Sequence, residues 1–168
     1  SKTITYIANI LPRRPAFEEF TSSTCGPCAS FNSSFVPWCQ NHPDIVLAKY
    51  QMNWPGSGDP YYTAEGGARR QYYGLNAVPY LYCNGANVST NISAVQQAYD
   101  AAKNLTSYID IASEFSISGT TIDLTTNLLA WDNVGTLRVH NIVIEKETTG
   151  NVASNGETEF HHVMMDMI

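Results

Sequence analysis

Two of the four cysteines, Cys25 and Cys28, stand on either side of Gly26-Pro27 in the stretch EEFTSSTCGPCASF. A C-x-x-C pair supports three chemistries. As a dithiol it exchanges disulfides, one thiolate attacking and the other resolving. As two thiolates it ligates zinc, given further ligands. As a lasting disulfide it staples a turn. Cys39 and His42 complete a C-x2-C-x10-C-x2-H pattern of the zinc type. Helix geometry weighs against that set: with 29–38 helical, Cys28 and Cys39 lie about 16 Å apart at 1.5 Å per residue. Zinc holds its sulfur ligands at about 2.3 Å, so no metal is expected.

The elements that must position the pair follow from periodicity and turn chemistry. TITYIAN (Thr3–Asn9) alternates and reads as a strand, and AFEEFT (Ala16–Thr21) as a second, short and aromatic one. From Cys25 to about His42, Cys28, Phe31, Phe35 and Cys39 recur at helical spacing, with Pro37 expected to kink the helix. DIVLAKYQM (44–52) is the apolar run of a strand buried on both faces. A loop rich in Gly, Pro and aromatics follows, then a helix over 63–74 stopped by Gly74. VPYLYCNGANVS reads as a hairpin turning at Asn84-Gly85. Ser93–Leu105 reads as a helix, with Ser93 and Gln96 forming a capping box.

Beyond Leu105 three alternating or β-branched runs (107–118, 120–130 and 136–147) predict an antiparallel β-rich unit. Three strands close neither a sandwich nor a barrel, so 106–168 reads as an incomplete accessory unit after a first domain over 1–105.

Composition narrows the setting. An apolar fraction of 43% supports a core without disulfides. Charged residues are only 14%, and the net charge of −6 carries no basic block, which argues against nucleic acid as a partner. No apolar run reaches the roughly 18 residues of a membrane-spanning helix. The first ten residues lack the apolar centre of a signal peptide, so export either does not occur or has already removed it.

Up to Leu105 the order is strand, strand, helix, strand, helix, hairpin, helix. With C-G-P-C at a strand-to-helix junction, this resembles the thioredoxin-like superfamily: α/β, a mixed central sheet flanked by helices. Four features carry the resemblance: Cys25-Gly26-Pro27-Cys28, Glu19 six residues upstream, Val78-Pro79 opening the hairpin, and Asn84-Gly85 turning it. FEEFTSSTCGPC, DP, RRQYYGLNAVPYLYCNG and a tail with FHHV look more narrowly like thioredoxin-like outer-membrane or secreted proteins of Bacteroidetes.

The resemblance implies an extracytoplasmic thiol–disulfide oxidoreductase acting on protein disulfides and dithiols, with an unidentified redox partner and no cofactor. Cys25 at a helix N-terminus is the nucleophile, because exposed N–H groups and the helix dipole stabilise its thiolate. Cys28, one turn further in, resolves the mixed disulfide. Glu19, buried beneath the pair, takes the Cys28 proton; the plainer reading is that Glu18 or Glu19 faces solvent. Gly26, Pro27, Val78 and a cis Pro79 shape the substrate groove. Thr24 departs from the tryptophan usual before the first cysteine. Trp54, with Tyr61 and Tyr62, either supplies aromatic groove surface or packs its loop. Cys39 and Cys83 either meet below the site as a structural disulfide or lie buried separately. The rival to the enzymatic reading is a secreted or surface binding module whose C-G-P-C is a permanent disulfide.

Overall fold

The computed structural model describes residues 11–168; the strand expected over Thr3–Asn9 lies outside the described residues. In chain order the elements are β1 (Leu11–Pro12), β2 (Ala16–Thr21), α1 (Gly26–Gln40), β3 (Val46–Gln51), α2 (Ala64–Tyr72), β4 (Tyr80–Cys83), β5 (Ala86–Val88) and α3 (Ile92–Lys103). They continue with β6 (Thr106–Ser107), β7 (Ile109–Ser118), β8 (Thr121–Ala130), β9 (Ile142–Thr148) and β10 (Phe160–Met167). The chain divides into two units. One holds Arg14–Ala102 with Val139–Ile168, the other Leu11–Arg13 with Lys103–Arg138.

The larger unit is mixed α/β. Its six strands run β5-β4-β2-β3-β10-β9. β2 pairs parallel with β3, and β3 with β10, while the remaining pairs are antiparallel. Parallel neighbours need a crossover, and α1 supplies it between β2 and β3. Alternation along β2 then divides the core. Phe17 packs with Phe35, Trp38, Leu81 and Val95 on the face covered by α1 and α3. Phe20 packs with Tyr50, Met52, Tyr82 and Met164 on the α2 side. The Asn84-Gly85 turn has both residues at positive φ (49° and 81°), as a two-residue hairpin requires. α3 starts two residues earlier than the expected capping box, with Asn91 in place of Ser93 as the cap: Asn91 Oδ1 accepts from Ala94 N at 3.0 Å. Gln96 instead accepts from Trp38 Nε1 at 2.8 Å.

Glu18, on the α2 face, is held by Arg69 Nε and an Arg69 guanidinium NH2 (2.6 and 2.8 Å), Tyr73 OH (2.6 Å) and Tyr50 OH (2.9 Å), all donating to it. Burial raises its pKa, but these four donors outweigh burial and leave it below its ordinary value of 4.5. Folded Glu18 therefore binds its proton less tightly than unfolded Glu18. Its stabilisation is complete above the ordinary value and is lost as pH falls through the folded one. Glu18→Gln is expected to cost roughly 1–2 kcal/mol at neutral pH, and the gap to wild type should close on acidification in urea unfolding series. A gap independent of pH would contradict the assignment.

In the smaller unit β1 pairs with β6, and β7 with β8 across ten residue pairs. One face of the β7–β8 ribbon carries Ile109, Ile111, Phe115 and Ile117 opposite Ala130, Leu128, Leu124 and Ile122. Most of that face is exposed, Phe115 at 69%.

This partition differs from the expected boundary at 105/106 and from an incomplete accessory β unit over 106–168. The third β-branched run does form β9, over a shorter span, but β9 and β10 complete the central sheet. Alternation identifies a strand without naming its neighbour, so the return of the chain to β3 was not legible.

Candidate functional site

β2 ends at Thr21, and a short turn delivers Cys25 as the N-cap of α1. Cys25 Sγ accepts from Cys28 N at 3.1 Å, which satisfies one of the orphan N–H groups of the first turn. Pro27 sits in that turn, where its missing N–H costs nothing. Cys25 and Cys28 are joined as a disulfide. Neither is open to solvent: Cys25 is 2% exposed and Cys28 0%. The Val78–Pro79 peptide is cis, and Val78 O lies 3.7 Å from Cys25 Sγ. Gly26, Pro27, Val78 and Pro79 thus come together with the pair as expected.

Glu19 is wholly buried, so the solvent-facing reading does not hold. It lies on the face of β2 beneath α1. Burial raises its pKa, Lys49 opposes that, and the charge of Glu157 adds to it. Lys49, its neighbour in register on β3, brings Nζ to 2.9 Å from Oε2. That approach is a charge contact rather than an aligned hydrogen bond, and Oε1 has no hydrogen-bond partner among the described residues. Thr21, Ser23, Gln51 and Asn32 are also buried on this side. The pair therefore stands at the polar end of a layer that is apolar further along α1.

Lys49 was the readable clue that sequence reasoning passed over: one charge inside the apolar run DIVLAKYQM. Asp59 also went unassigned. Its Oδ2 accepts from Ser23 N (3.3 Å) and Asn151 Nδ2 (2.8 Å), and its Oδ1 from Tyr61 N (2.8 Å). It therefore ties the loop after β3 to the turn before Cys25. Thr24 donates to Pro55 O at 2.6 Å and fastens the same loop.

The loop aromatics each have a packing partner. Trp54 lies against the α2-side core with the Arg70 guanidinium 5.0 Å from its ring. Tyr61 abuts Gly150, and Tyr62 abuts Gly67, where an added Cβ would collide with the Tyr62 hydroxyl. Trp54 remains half-buried. Cys39 and Cys83 are buried thiols and are not bridged to each other. Cys83 is set against the α3 backbone, 3.9 Å from Ala98 O. Burial pushes the Cys39 thiol up to about 12, so it stays protonated and unreactive. His42 is stacked on Trp38 and donates from Nδ1 to its carbonyl at 2.7 Å.

No protein-family model matches the chain, and no curated protein sequence does. A crystal structure of a protein from Agrobacterium tumefaciens is similar in fold. Its TM-score is 0.61 at 19% identity, over 94% of this chain and 72% of that one. At that identity the likeness is one of fold alone. Among the described residues no helix is long and apolar enough to cross a membrane.

Proposed function

We propose that the larger unit is a thioredoxin-like thiol–disulfide oxidoreductase that works outside the cytoplasm, as the narrower resemblance to secreted and outer-membrane proteins suggests. The observation that carries this reading is Cys25 Sγ at the N-cap of α1, in hydrogen bond with Cys28 N and bonded to Cys28, on the face that buries Glu19. In the reduced protein the Cys25 thiolate attacks a substrate disulfide. A Cys25–substrate S–S bond forms, the substrate S–S bond breaks, and one substrate thiolate leaves. Cys28 then gives its proton to Glu19 and attacks Cys25 Sγ. The second substrate thiolate leaves, and the Cys25–Cys28 disulfide closes. The substrate gains two electrons and the pair loses two; another dithiol restores it, and the cycle runs in reverse for oxidation.

The burial of both sulfurs favours one second reading, a binding or structural module in which the disulfide is permanent. Equilibration in glutathione buffers of graded potential, alkylation and peptide mass spectrometry separate the two. Reversible joint titration of Cys25 and Cys28 between about −120 and −270 mV marks a working couple, and a pair still oxidised below about −300 mV marks a staple. Cys39 and Cys83 are the internal controls: both are expected to resist alkylation in the folded protein at every potential.

A further inference from the structure

The β9–β10 connection reaches into this site. Asn155 Nδ2 donates to Ser22 O (3.2 Å) and Cys25 O (3.3 Å), and Asn155 N donates to Ser23 O (3.1 Å). The same side chain donates to Glu157 Oε2, and Glu157 N donates back to Asn155 Oδ1 at 3.0 Å. Glu157 Oε1 accepts from Asn32 Nδ2 at 2.9 Å, and Asn32 Oδ1 accepts from Lys49 Nζ at 2.8 Å. Lys49 in turn stands against Glu19. A continuous polar chain therefore runs from the buried carboxylate to the half-buried one. Glu157 opens onto a surface depression of about 560 Å³ shared with Asn32, Asn155, Glu159 and His161.

We propose that Asn155 and Glu157 are positioning residues for the Cys25–Cys28 pair: Asn155 fixes the backbone that carries Cys25, and Glu157, acting through Asn32 and Lys49, governs the charge on Glu19. This deepens the redox reading above and rests on it for its catalytic meaning. Lys49 touches Glu19 directly and reaches Glu157 only through Asn32. Asn32 is held at both ends, its oxygen by an ammonium and its amide by a carboxylate, so it has one orientation and holds Lys49 Nζ beside Glu19. With Glu157 ionised, a second negative charge bears on Glu19 where the dielectric is low, and Glu19 keeps its proton to higher pH. The other titratable groups around this chain are Cys39 on α1, which stays a neutral thiol; His162 on β10, which is driven toward neutrality by burial and the Lys49 charge; and Glu159 with His161, which share the depression with Glu157, His161 Nε2 standing 3.8 Å from Glu159 Oε2. Glu159 is the one further carboxylate in that depression, and it is solvent-exposed and set against His161, whereas Glu157 is the carboxylate joined to Lys49 through Asn32.

The test is the titration of Glu19 itself. Protein labelled with ¹³C at glutamate side chains is followed by NMR against pH as wild type, Glu157→Gln and Glu157→Asp, with Glu19→Gln assigning the resonance. In Glu157→Gln the Glu19 midpoint is expected to fall by roughly 0.5–1 pH unit, and the acid limb of disulfide exchange by the same interval. Glu157→Asp, which retains the charge, should stay near wild type. Should the new Gln amide, set against the Asn155 amide, prevent folding, Glu157→Ala removes the charge without that clash, and the same fall is expected. A Glu19 midpoint unchanged in the charge-removing variant would overturn the proposal. A midpoint that moves in a protein whose pair stays oxidised below about −300 mV would uphold the Glu157–Glu19 coupling and overturn the redox reading instead.

Discussion

Cys25→Ser is expected to abolish disulfide exchange under the proposed function, with a loss of at least about 1,000-fold, equivalent to roughly 4 kcal/mol of barrier. The reason lies in the attacking atom. A thiolate forms at accessible pH, and at the N-cap of α1 the Cys28 N–H at 3.1 Å is already aimed at Sγ. A serine hydroxyl in the same place accepts that hydrogen bond without ionising, and it forms no bond to sulfur of useful lifetime. Cys28→Ser has a different signature. The attack remains, the resolving thiol is gone, and a mixed disulfide between Cys25 and substrate accumulates. Non-reducing electrophoresis of protein incubated with an oxidised peptide, together with an exchange assay, reads both. Full activity in Cys25→Ser would remove Cys25 from the role of nucleophile; absence of the trapped adduct in Cys28→Ser would remove Cys28 from that of resolver.

Phe35→Ala is expected to destabilise the larger unit by about 3–5 kcal/mol, the range for deleting a buried aromatic ring. Phe35, on the inner face of α1, is fully buried. It stacks on Phe31 with centroids 4.8 Å apart and on Trp38 at 6.1 Å, and meets Phe17 of β2 edge-on at 6.3 Å. Lys49 Nζ lies 5.9 Å from its ring centroid. The ring is thus a principal apolar link between α1 and the central strand, and it borders the polar layer at the same time. Its loss leaves a cavity that the aromatic neighbours cannot fill without leaving their stacked geometry. Urea unfolding followed by tryptophan fluorescence measures the cost. A loss below about 1 kcal/mol would mean that α1 is held elsewhere. Because α1 presents Cys25 at one end and Asn32 midway, the redox midpoint of the pair should shift with the same substitution.

The local elements around the site were legible because each rests on short-range chemistry. Alternation in AFEEFT marks β2, Asn84-Gly85 marks a turn in which both residues take positive φ, and Cys25-Gly26-Pro27-Cys28 marks a helix start with proline where no N–H is needed. The spacing of Cys28, Phe31, Phe35 and Cys39 marks the face that α1 buries. Glu19 was legible as a candidate through family resemblance and through the cost of a carboxylate in a short aromatic strand. Its burial was a matter for the fold.

Tertiary structure alone decided everything that depends on which distant segment fills a place. The run after Thr136 carries the pattern of any half-buried strand, and nothing in that pattern distinguishes a neighbour in a separate β unit from β10 and, beyond it, β3. Cys39 and Cys83 have the count and burial of a disulfide pair, yet bridging needs approach and orientation that sequence does not encode. Trp54 reads equally as a groove or a loop-packing residue, and only the fold brings the Arg70 guanidinium to 5.0 Å from its ring. Asn155 and Glu157 lie in a polar loop without periodicity, about 130 residues from the cysteines they adjoin. They reach the Cys25 turn and Asn32 only because β9 and β10 carry that loop back across the end of the sheet. Sequence by itself determined the thiol pair and the helix that presents it, since propensity and capping act within a few residues. The environment of the pair was left to long-range packing.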